Sequence, residues 1–318
     1  MNLGLSNQVV NILVASCSLG THKQYKSYLC KWQEYCTVNN LSSSNVTIND
    51  VLNFLCTVYT EGKGYSAVNT ARSALSLILP SIDGHAVGTH PLVSRFVKGV
   101  GRLKPPKPRY NYTWDVDLVF KLFETWPSNN FLDLKQLTLK LVSLLAIVTA
   151  QRVQSLNLIK IDNIREEGDV IVIRIPDPIK TFRPGGIQPC FKLPPYHQES
   201  ICVVRTLKHY LCITEKIRNG NQLFVSFSRP HRAVSNQTLS RWLKDVLELS
   251  GVDSSVFLGH SYRHASTSKA FMNNCNIDVI FSQAGWSPRS TVFANFYKRP
   301  VRSSNSSLEF MSAVCSRK

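Results

Sequence analysis

The sequence predicts a mainly helical fold in two domains, with one small antiparallel sheet in the second domain. Apolar residues recur at helical spacing through most of the 318 residues, and a chain of this length accommodates two domains. The stretch 169–175 is rich in valine and isoleucine, and a Gly185-Gly186 turn separates it from a second short run at 188–193. That pattern indicates a β-hairpin. A proline-rich segment between the two halves disfavours helix and marks the boundary.

The first hundred residues are predicted to form a helical bundle. An apolar stripe covers 25–36, and a second helix begins after Asn45 or Thr47, either of which can cap it. A third helix begins near Ser66, after a Gly-Lys-Gly break. Pro91 suits the first turn of a fourth. We assign residues 1–104 to this domain.

A basic linker, assigned to 105–112, follows the bundle. Its three prolines favour an extended chain, and no acidic residue occurs from the start of the fourth helix until Asp115. The segment is a solvated linker, a nuclear-localisation patch or a strap along a DNA backbone. We favour the strap because the whole chain is basic. The candidate DNA-binding cations of this region are Arg95, Lys98, Arg102, Lys104, Lys107 and Arg109.

The second domain is assigned to 113–318 and is predicted to surround the hairpin with helices. Helical patterns occupy 116–125, 134–148, 198–214, 236–249, 261–274, 277–282 and 290–297.

The charge indicates a polyanionic partner. The chain has 37 cations, 20 anions and a net charge of +17, which favours nucleic acid. An anionic membrane would require a basic amphipathic stripe, which we do not find, and the longest apolar run is far below the ~20 residues of a spanning helix. A basic surface that only aids solubility is the remaining alternative. The nine scattered cysteines contain no Cys-x-x-Cys pair, which argues against a zinc site or a disulfide framework and favours an intracellular protein.

Two arginines are candidates for binding a phosphodiester. Phosphoryl transfer gathers negative charge on the non-bridging oxygens, and a guanidinium can donate two hydrogen bonds to such oxygens. Arg152 follows a helix at a Thr-Ala-Gln break, and Arg263 lies in the first turn of another helix. Each arginine alone would more often be a surface or salt-bridged residue. The catalytic interpretation of the two arginines depends on the other candidate residues that accompany them in the sequence.

Lys180 and His260 are candidates for proton transfer. Lys180 lies near the hairpin tip, where it can protonate a leaving 5′-oxygen or contact phosphate by charge alone. His260 precedes Arg263 by three residues, so the two share a helix face and His260 can shuttle a proton. We expect His264 to point elsewhere and to serve in packing.

Trp286 and Tyr297 complete the set. The indole N–H of Trp286 can only donate, which suits a non-bridging oxygen. Tyr297 is followed by two cations, Lys298 and Arg299, which favour ionisation of a phenol that attacks phosphorus.

These residues, in this order, resemble the tyrosine recombinase (phage integrase) family. The family order is Arg, a hairpin Lys, His-x-x-Arg, His or Trp, and Tyr, which matches Arg152, Lys180, His260, Arg263, Trp286 and Tyr297. The sequences Gln-Arg-Val-Gln-Ser-Leu (151–156), Lys-Thr-Phe-Arg-Pro-Gly (180–185) and Tyr-Thr-Trp-Asp-Val (112–116) look closer to eukaryotic mobile-element recombinases of the DIRS-like, Ngaro-like and Crypton groups.

The resemblance implies a two-domain clamp on double-stranded DNA, formed by a helical core-binding (SAM-like) domain and an α+β catalytic domain. It implies a 3′-phosphotyrosyl intermediate, no metal or other cofactor, and a homotetramer assembled on DNA that exchanges a C-terminal element, here residues 308–314. We expect Arg183 to contact DNA and the protein to be nuclear, without membrane partners. Ser155 stands where many bacterial members have an acidic residue, and Trp286 replaces the late histidine. Alternatives are an inactive domesticated DNA-binding protein and a type IB topoisomerase.

Overall fold

The chain divides into two compact units, Met1–Pro108 and Arg109–Lys318. The computed structural model describes residues 6–42, 46–106, 110–182, 185–186, 188–287, 290–291, 293–297 and 299. Within these ranges the chain is mostly helical and has one small antiparallel sheet, which confirms the predicted fold class. The identities of the domains and the clamp arrangement stay predictions. No helix among these residues is long and apolar enough to cross a membrane.

The first unit is a helical bundle. The four predicted helices are present, with Thr47 capping the second of them and Pro91 in the first turn of the fourth. An additional helix at the N-terminus was not predicted, and none of its residues is buried. The helices are α1 Asn7–Ala15, α2 Leu19–Val38, α3 Ile48–Thr60, α4 Tyr65–Ile78 and α5 Pro91–Leu103.

The second unit is built around one buried helix. Its helices are α6 Asp117–Glu124, α7 Leu134–Thr149, α8 Val153–Asn157, α9 Val203–Thr214, α10 Asn236–Leu249, α11 Ser261–Met272 and α12 Ile277–Ala284. Twelve of the 16 residues of α7 are buried, because α9, α10 and α11 all pack against it. Since α7 is fixed on several sides, its C-terminal end is a rigid support for the residues that follow.

The sheet has three antiparallel strands in the order β1-β2-β3. They are β1 Ile164–Glu167, β2 Val170–Arg174 and β3 Cys190–Leu193. The predicted hairpin corresponds to β2 and β3, whose pairing sets Ile173 opposite Phe191, both buried. β1 was missed because three of its four residues are charged and exposed.

Two predicted helices differ from the structure. The pattern at 198–214 covers a 3₁₀ turn, Glu199–Ile201, and then α9, because both helix types bring residues i and i+3 to one side. The helix predicted at 290–297 is only partly confirmed: Phe293–Tyr297 forms a five-residue π-helical turn, whereas residues 290 and 291 are not helical. The predicted exchange element at 308–314 lies outside the described residues.

Candidate active site

Arg152 projects from the break between α7 and α8. Ala150 ends α7 in the left-handed conformation (φ 49°), and Arg152 is extended and half-buried. Gln151 donates from Nε2 to the Gln283 carbonyl at 2.7 Å, and Gln283 donates from Nε2 to the Val148 carbonyl at 3.0 Å. These two hydrogen bonds tie the break to α12 and limit where Arg152 can point.

Arg263 is buried in the first turn of α11. Only 2% of the residue is exposed, and Nη1 donates to the Ala150 carbonyl at 3.0 Å. Nε and Nη2 are buried and have no hydrogen-bond partner among the described residues. Burial lowers the pKa of Arg263, the charge of Arg152 lowers it further, and Tyr297 opposes both effects. A buried cation with two unused donors is arranged to receive an anion.

Trp286 lies directly against this guanidinium. Gly285 ends α12 in the left-handed conformation (φ 66°), and the Trp286 backbone N–H donates to the Phe281 carbonyl at 2.8 Å. The indole centroid is 4.4 Å from Cζ of Arg263. Its buried N–H also lacks a partner in the described part of the chain, so it is a third unused donor in the same place.

Tyr297 ends the π-helical turn beside the same two residues. Its ring centroid is 5.5 Å from Cζ of Arg263 and 4.7 Å from the centroid of Trp286. Its carbonyl accepts a hydrogen bond of 2.6 Å from Ser268 Oγ on α11, and the same Oγ accepts a hydrogen bond from the backbone N–H of Arg299. The predicted nucleophile and the predicted phosphate-binding arginine therefore meet within one chain.

Tyr262 is a neighbouring tyrosine whose surroundings do not suit a nucleophile. It is fully buried, its hydroxyl donates to the Leu243 carbonyl at 3.1 Å, and Ser143 lies 3.3 Å from the same oxygen. Burial raises the pKa of Tyr262 far above its ordinary value. A phenol held in the core in this way is a poor nucleophile, whereas Tyr297 is half-buried.

His260 and His264 extend the site along α11. His260 is exposed immediately before the helix, and its ring lies 6.3 Å from that of His264. The prediction that His264 points elsewhere is wrong: its ring stacks on Tyr297 with centroids 4.1 Å apart and planes 14° apart. The signal was the i, i+4 spacing from His260, which brings side chains together on a helix as i, i+3 does.

Lys180 lies between β2 and β3. It is exposed in a turn that the Phe182 N–H closes by donating to the Ile179 carbonyl at 2.8 Å. No hydrogen bond or ion pair joins Lys180 to the other predicted site residues within the described ranges. The turn follows β2, as predicted, and Arg183 lies outside the described residues.

A buried polar contact that sequence reasoning missed supports α11 from the start of the second unit. Trp114 donates from Nε1 to Ser261 Oγ at 2.9 Å, and its ring lies edge-on to Tyr262. Lys269 binds Asp115 at 3.2 Å and Asp117 at 2.6 Å. Because these contacts join residues about 150 positions apart, no local pattern reveals them.

Three of the predicted DNA-binding cations lie on one face of α5. Arg95, Lys98 and Arg102 are exposed, occupy positions i, i+3 and i+7, and form no ion pair within the described residues. Lys104 differs, since its ammonium donates to the Gly62 carbonyl. Lys107 and Arg109 lie outside the described residues.

No cluster of three His, Cys, Asp or Glu side chains that fits a metal ion occurs among the described residues.

The phage integrase family model matches residues 121–302, more than half of the chain and the region that holds all six predicted catalytic residues. The chain belongs to the phage integrase family. No curated protein matches this integrase-family chain in sequence.

Solved tyrosine recombinase structures share the fold of this family member. The XerH site-specific recombinase bound to palindromic difH substrate (post-cleavage complex) aligns with TM-score 0.61 at 17% identity, covering 92% of this chain and 79% of that one. Lambda integrase (residues 75–356) bound to DNA aligns with TM-score 0.52 at 19% identity, covering 92% and 93%. The Tn1549 transposon integrase in complex with transposon right end DNA aligns with TM-score 0.53 at 13% identity, covering 86% and 87%. At these identities the likenesses show the fold alone.

Proposed function

We propose that this integrase-family chain cleaves and rejoins DNA strands through a 3′-phosphotyrosyl intermediate on Tyr297. One observation carries the proposal: three buried nitrogen donors have no hydrogen-bond partner among the described residues, Nε and Nη2 of Arg263 and Nε1 of Trp286, and both side chains lie beside the ring of Tyr297. Leaving buried donors unpaired is costly in a folded protein, so a site that retains them is suited to an acceptor that arrives later. A non-bridging phosphate oxygen fits both their number and their charge.

The proposed reaction conserves the energy of the phosphodiester. The Tyr297 Oη–phosphorus bond forms, the bond between phosphorus and the 5′-oxygen breaks, and the product is a phosphotyrosyl ester with a free 5′-hydroxyl. His260 takes the phenolic proton, and Lys180 supplies a proton to the 5′-oxygen. Because no hydrogen bond or ion pair joins Lys180 to the other site residues within the described ranges, we propose that DNA binding brings the hairpin turn to the 5′-oxygen. Attack by a second 5′-hydroxyl reverses the step.

Charge stabilisation in this reaction falls to Arg152, Arg263 and Trp286. Their donors can hold the equatorial oxygens of a five-coordinate phosphorus, as metal ions do in two-metal enzymes. We therefore propose that strand cleavage continues in excess EDTA. Duplex DNA is the proposed substrate, and the exposed cations on α5 are its proposed contacts in the first unit.

Integration of a mobile element by a nuclear homotetramer on DNA is the biological setting that we propose. The similarity to a transposon integrase, and to structures described as lambda integrase dimers and a tetramer on DNA, supports this setting. The basic proline-rich segment after α5 supports nuclear localisation.

The test begins with duplexes selected from a random library for binding to the full chain. A nick beside the scissile position is then introduced so that the cleaved end diffuses away, and reactions are run in excess EDTA. We expect a denaturation-resistant protein–DNA adduct from the wild type and from Tyr196→Phe, which removes one hydroxyl from a half-exposed tyrosine, and none from Tyr297→Phe. An adduct from Tyr297→Phe would contradict the assignment of the nucleophile.

Two further outcomes separate the alternatives. Salt-sensitive DNA binding without any adduct would support a DNA-binding protein that has lost the reaction. An adduct together with relaxation of supercoiled plasmid, but no exchange of strands between two duplexes, would support a topoisomerase.

A further inference from the structure

The ring of Tyr297 has a face-to-face partner that the proposed reaction does not use. Of its two described contacts with other rings, the one with His264 is the closer, at 4.1 Å between centroids, and the more nearly parallel, at 14°. The rings of Trp286 and Tyr297 are 4.7 Å apart and inclined at 58°. His264 therefore sets the plane of the phenol more directly than Trp286 does.

The backbone around Tyr297 leaves this plane to be set by side chains. Tyr297 is the last residue of a turn of only five residues, and its described backbone anchor is the hydrogen bond from Ser268. A backbone anchor does not fix the rotamers of a phenol, which can swing about two side-chain bonds.

His264 itself is held rigidly on two sides. It lies in the first turns of α11, which is tied to the end of α7 by the hydrogen bonds of Arg263 and Ser266. The ring of Tyr110 lies edge-on to His264, with centroids 5.5 Å apart and planes 81° apart. Tyr110 is in turn fixed by Arg299, whose Nη1 donates to the Tyr110 carbonyl at 2.6 Å. The residue two positions after the nucleophile thus holds the residue that supports His264.

We infer that His264 is a positioning residue for Tyr297: its imidazole ring holds the phenol in the orientation that directs the hydroxyl to the site of Arg263 and Trp286. The inference rests on the proposed function. It assigns to His264 no contact with DNA and no proton transfer. His264 contributes to the rate by keeping Tyr297 in an attacking geometry, because a small displacement of a nucleophile slows a reaction strongly.

The experiment compares His264→Ala with His264→Phe, which keeps a flat ring of similar width. On the selected nicked duplex we expect His264→Ala to slow adduct formation in a single turnover by about 10- to 100-fold, with an unchanged Kd for DNA. We expect His264→Phe to recover most of that loss, since stacking requires a ring and no nitrogen. A His264→Phe variant as slow as His264→Ala would overturn the inference, because the imidazole nitrogens would then be required.

A second readout removes Tyr297 from the reaction. In Tyr297→Phe, hydrogen peroxide serves as an external nucleophile: a peroxide oxygen bonds to phosphorus, and the 5′-oxygen leaves with a proton. If His264 acts only through Tyr297, adding His264→Ala to Tyr297→Phe leaves the rate of peroxide cleavage unchanged. A matching fall in peroxide cleavage would show damage to the phosphate site and would overturn the inference.

Two results distinguish failure of the proposed function from failure of the role assigned to His264. If the wild type forms no adduct, the proposed function itself is wrong. If the wild type forms an adduct and His264→Ala forms it at the same rate, only the inference about His264 is wrong.

Discussion

Replacing Arg263 by methionine separates stability from activity, because this arginine is buried with most of its hydrogen-bonding capacity unused. Removing the guanidinium relieves two buried nitrogen donors that have no partner, Nε and Nη2, each costing about 1–3 kcal/mol. It also leaves the Ala150 carbonyl unpaired, at about 1–3 kcal/mol, and loses the contact with Trp286, worth about 1–2 kcal/mol. These contributions nearly cancel, so we expect the free energy of unfolding of Arg263→Met to stay within about 2 kcal/mol of the wild type.

Activity is expected to respond very differently. Loss of one donor group that stabilises transition-state charge lowers the rate by about 10²–10³-fold, and Arg263 offers two unpaired donors. Denaturant unfolding gives the stability, and single-turnover adduct formation on the nicked duplex in EDTA gives the rate.

Arg218→Met is the matched control, because both terminal nitrogens of that arginine donate hydrogen bonds within the protein. It donates to the carbonyls of Gln222 at 2.9 Å and Leu223 at 3.3 Å, and to the hydroxyl of Thr214. We expect this variant to lose more stability than Arg263→Met and to keep its cleavage rate. A loss of more than about 3 kcal/mol in Arg263→Met, the range for breaking a satisfied buried ionic contact, would contradict the expected stability. Cleavage by Arg263→Met within tenfold of the wild-type rate would contradict the expected role of its donors.

Three more outcomes are expected. Changing Arg95, Lys98 and Arg102 together to glutamine should reduce the slope of log Kd against log salt concentration by about 0.9 per lost phosphate contact. Changing the exposed Lys23, Lys26 and Lys63 to glutamine removes the same charge and should reduce that slope less. Equal reductions in a salt titration would mean that net charge alone sets DNA affinity. Mixing the Arg263→Met and Tyr297→Phe proteins should not restore adduct formation, because both residues lie in the site of one chain. Restored cleavage would mean that another chain supplies the tyrosine. Burial lowers the pKa of Lys140, so the unfolded chain binds more protons than the folded chain. The free energy of unfolding of the wild type, relative to that of Lys140→Met, should therefore rise as pH increases through the lowered pKa towards about 10.4. A difference between the two proteins that does not change with pH would contradict this.

The periodicity of apolar residues was sufficient to predict the helices that bury a continuous stripe. The limits of α10 and the start of α7 agree with the pattern, because each has a regular apolar face and a capping residue, Ser235 or Asp133, before it. β1 carried no such signal, since its exposed charged residues are held by pairing with β2. Before Tyr297 the pattern correctly indicated helical structure but not its type or length, because aromatic residues at short spacing fit an ordinary helix as well as a π-helical turn.

The sequence alone predicts the fold class and shows the basic character and the order of Arg152, Lys180, His260, Arg263, Trp286 and Tyr297. These are properties of composition and linear order. The packed structure was needed to show that Arg263 keeps two buried nitrogen donors unpaired, that no described hydrogen bond or ion pair joins Lys180 to the site, and that His264 stacks on Tyr297. Burial and ring geometry depend on where separate segments meet, and α7, α11, α12 and the last turn meet only after the core has packed. For that reason the residues of the site were readable in the chain, whereas the contact that orients Tyr297 was not.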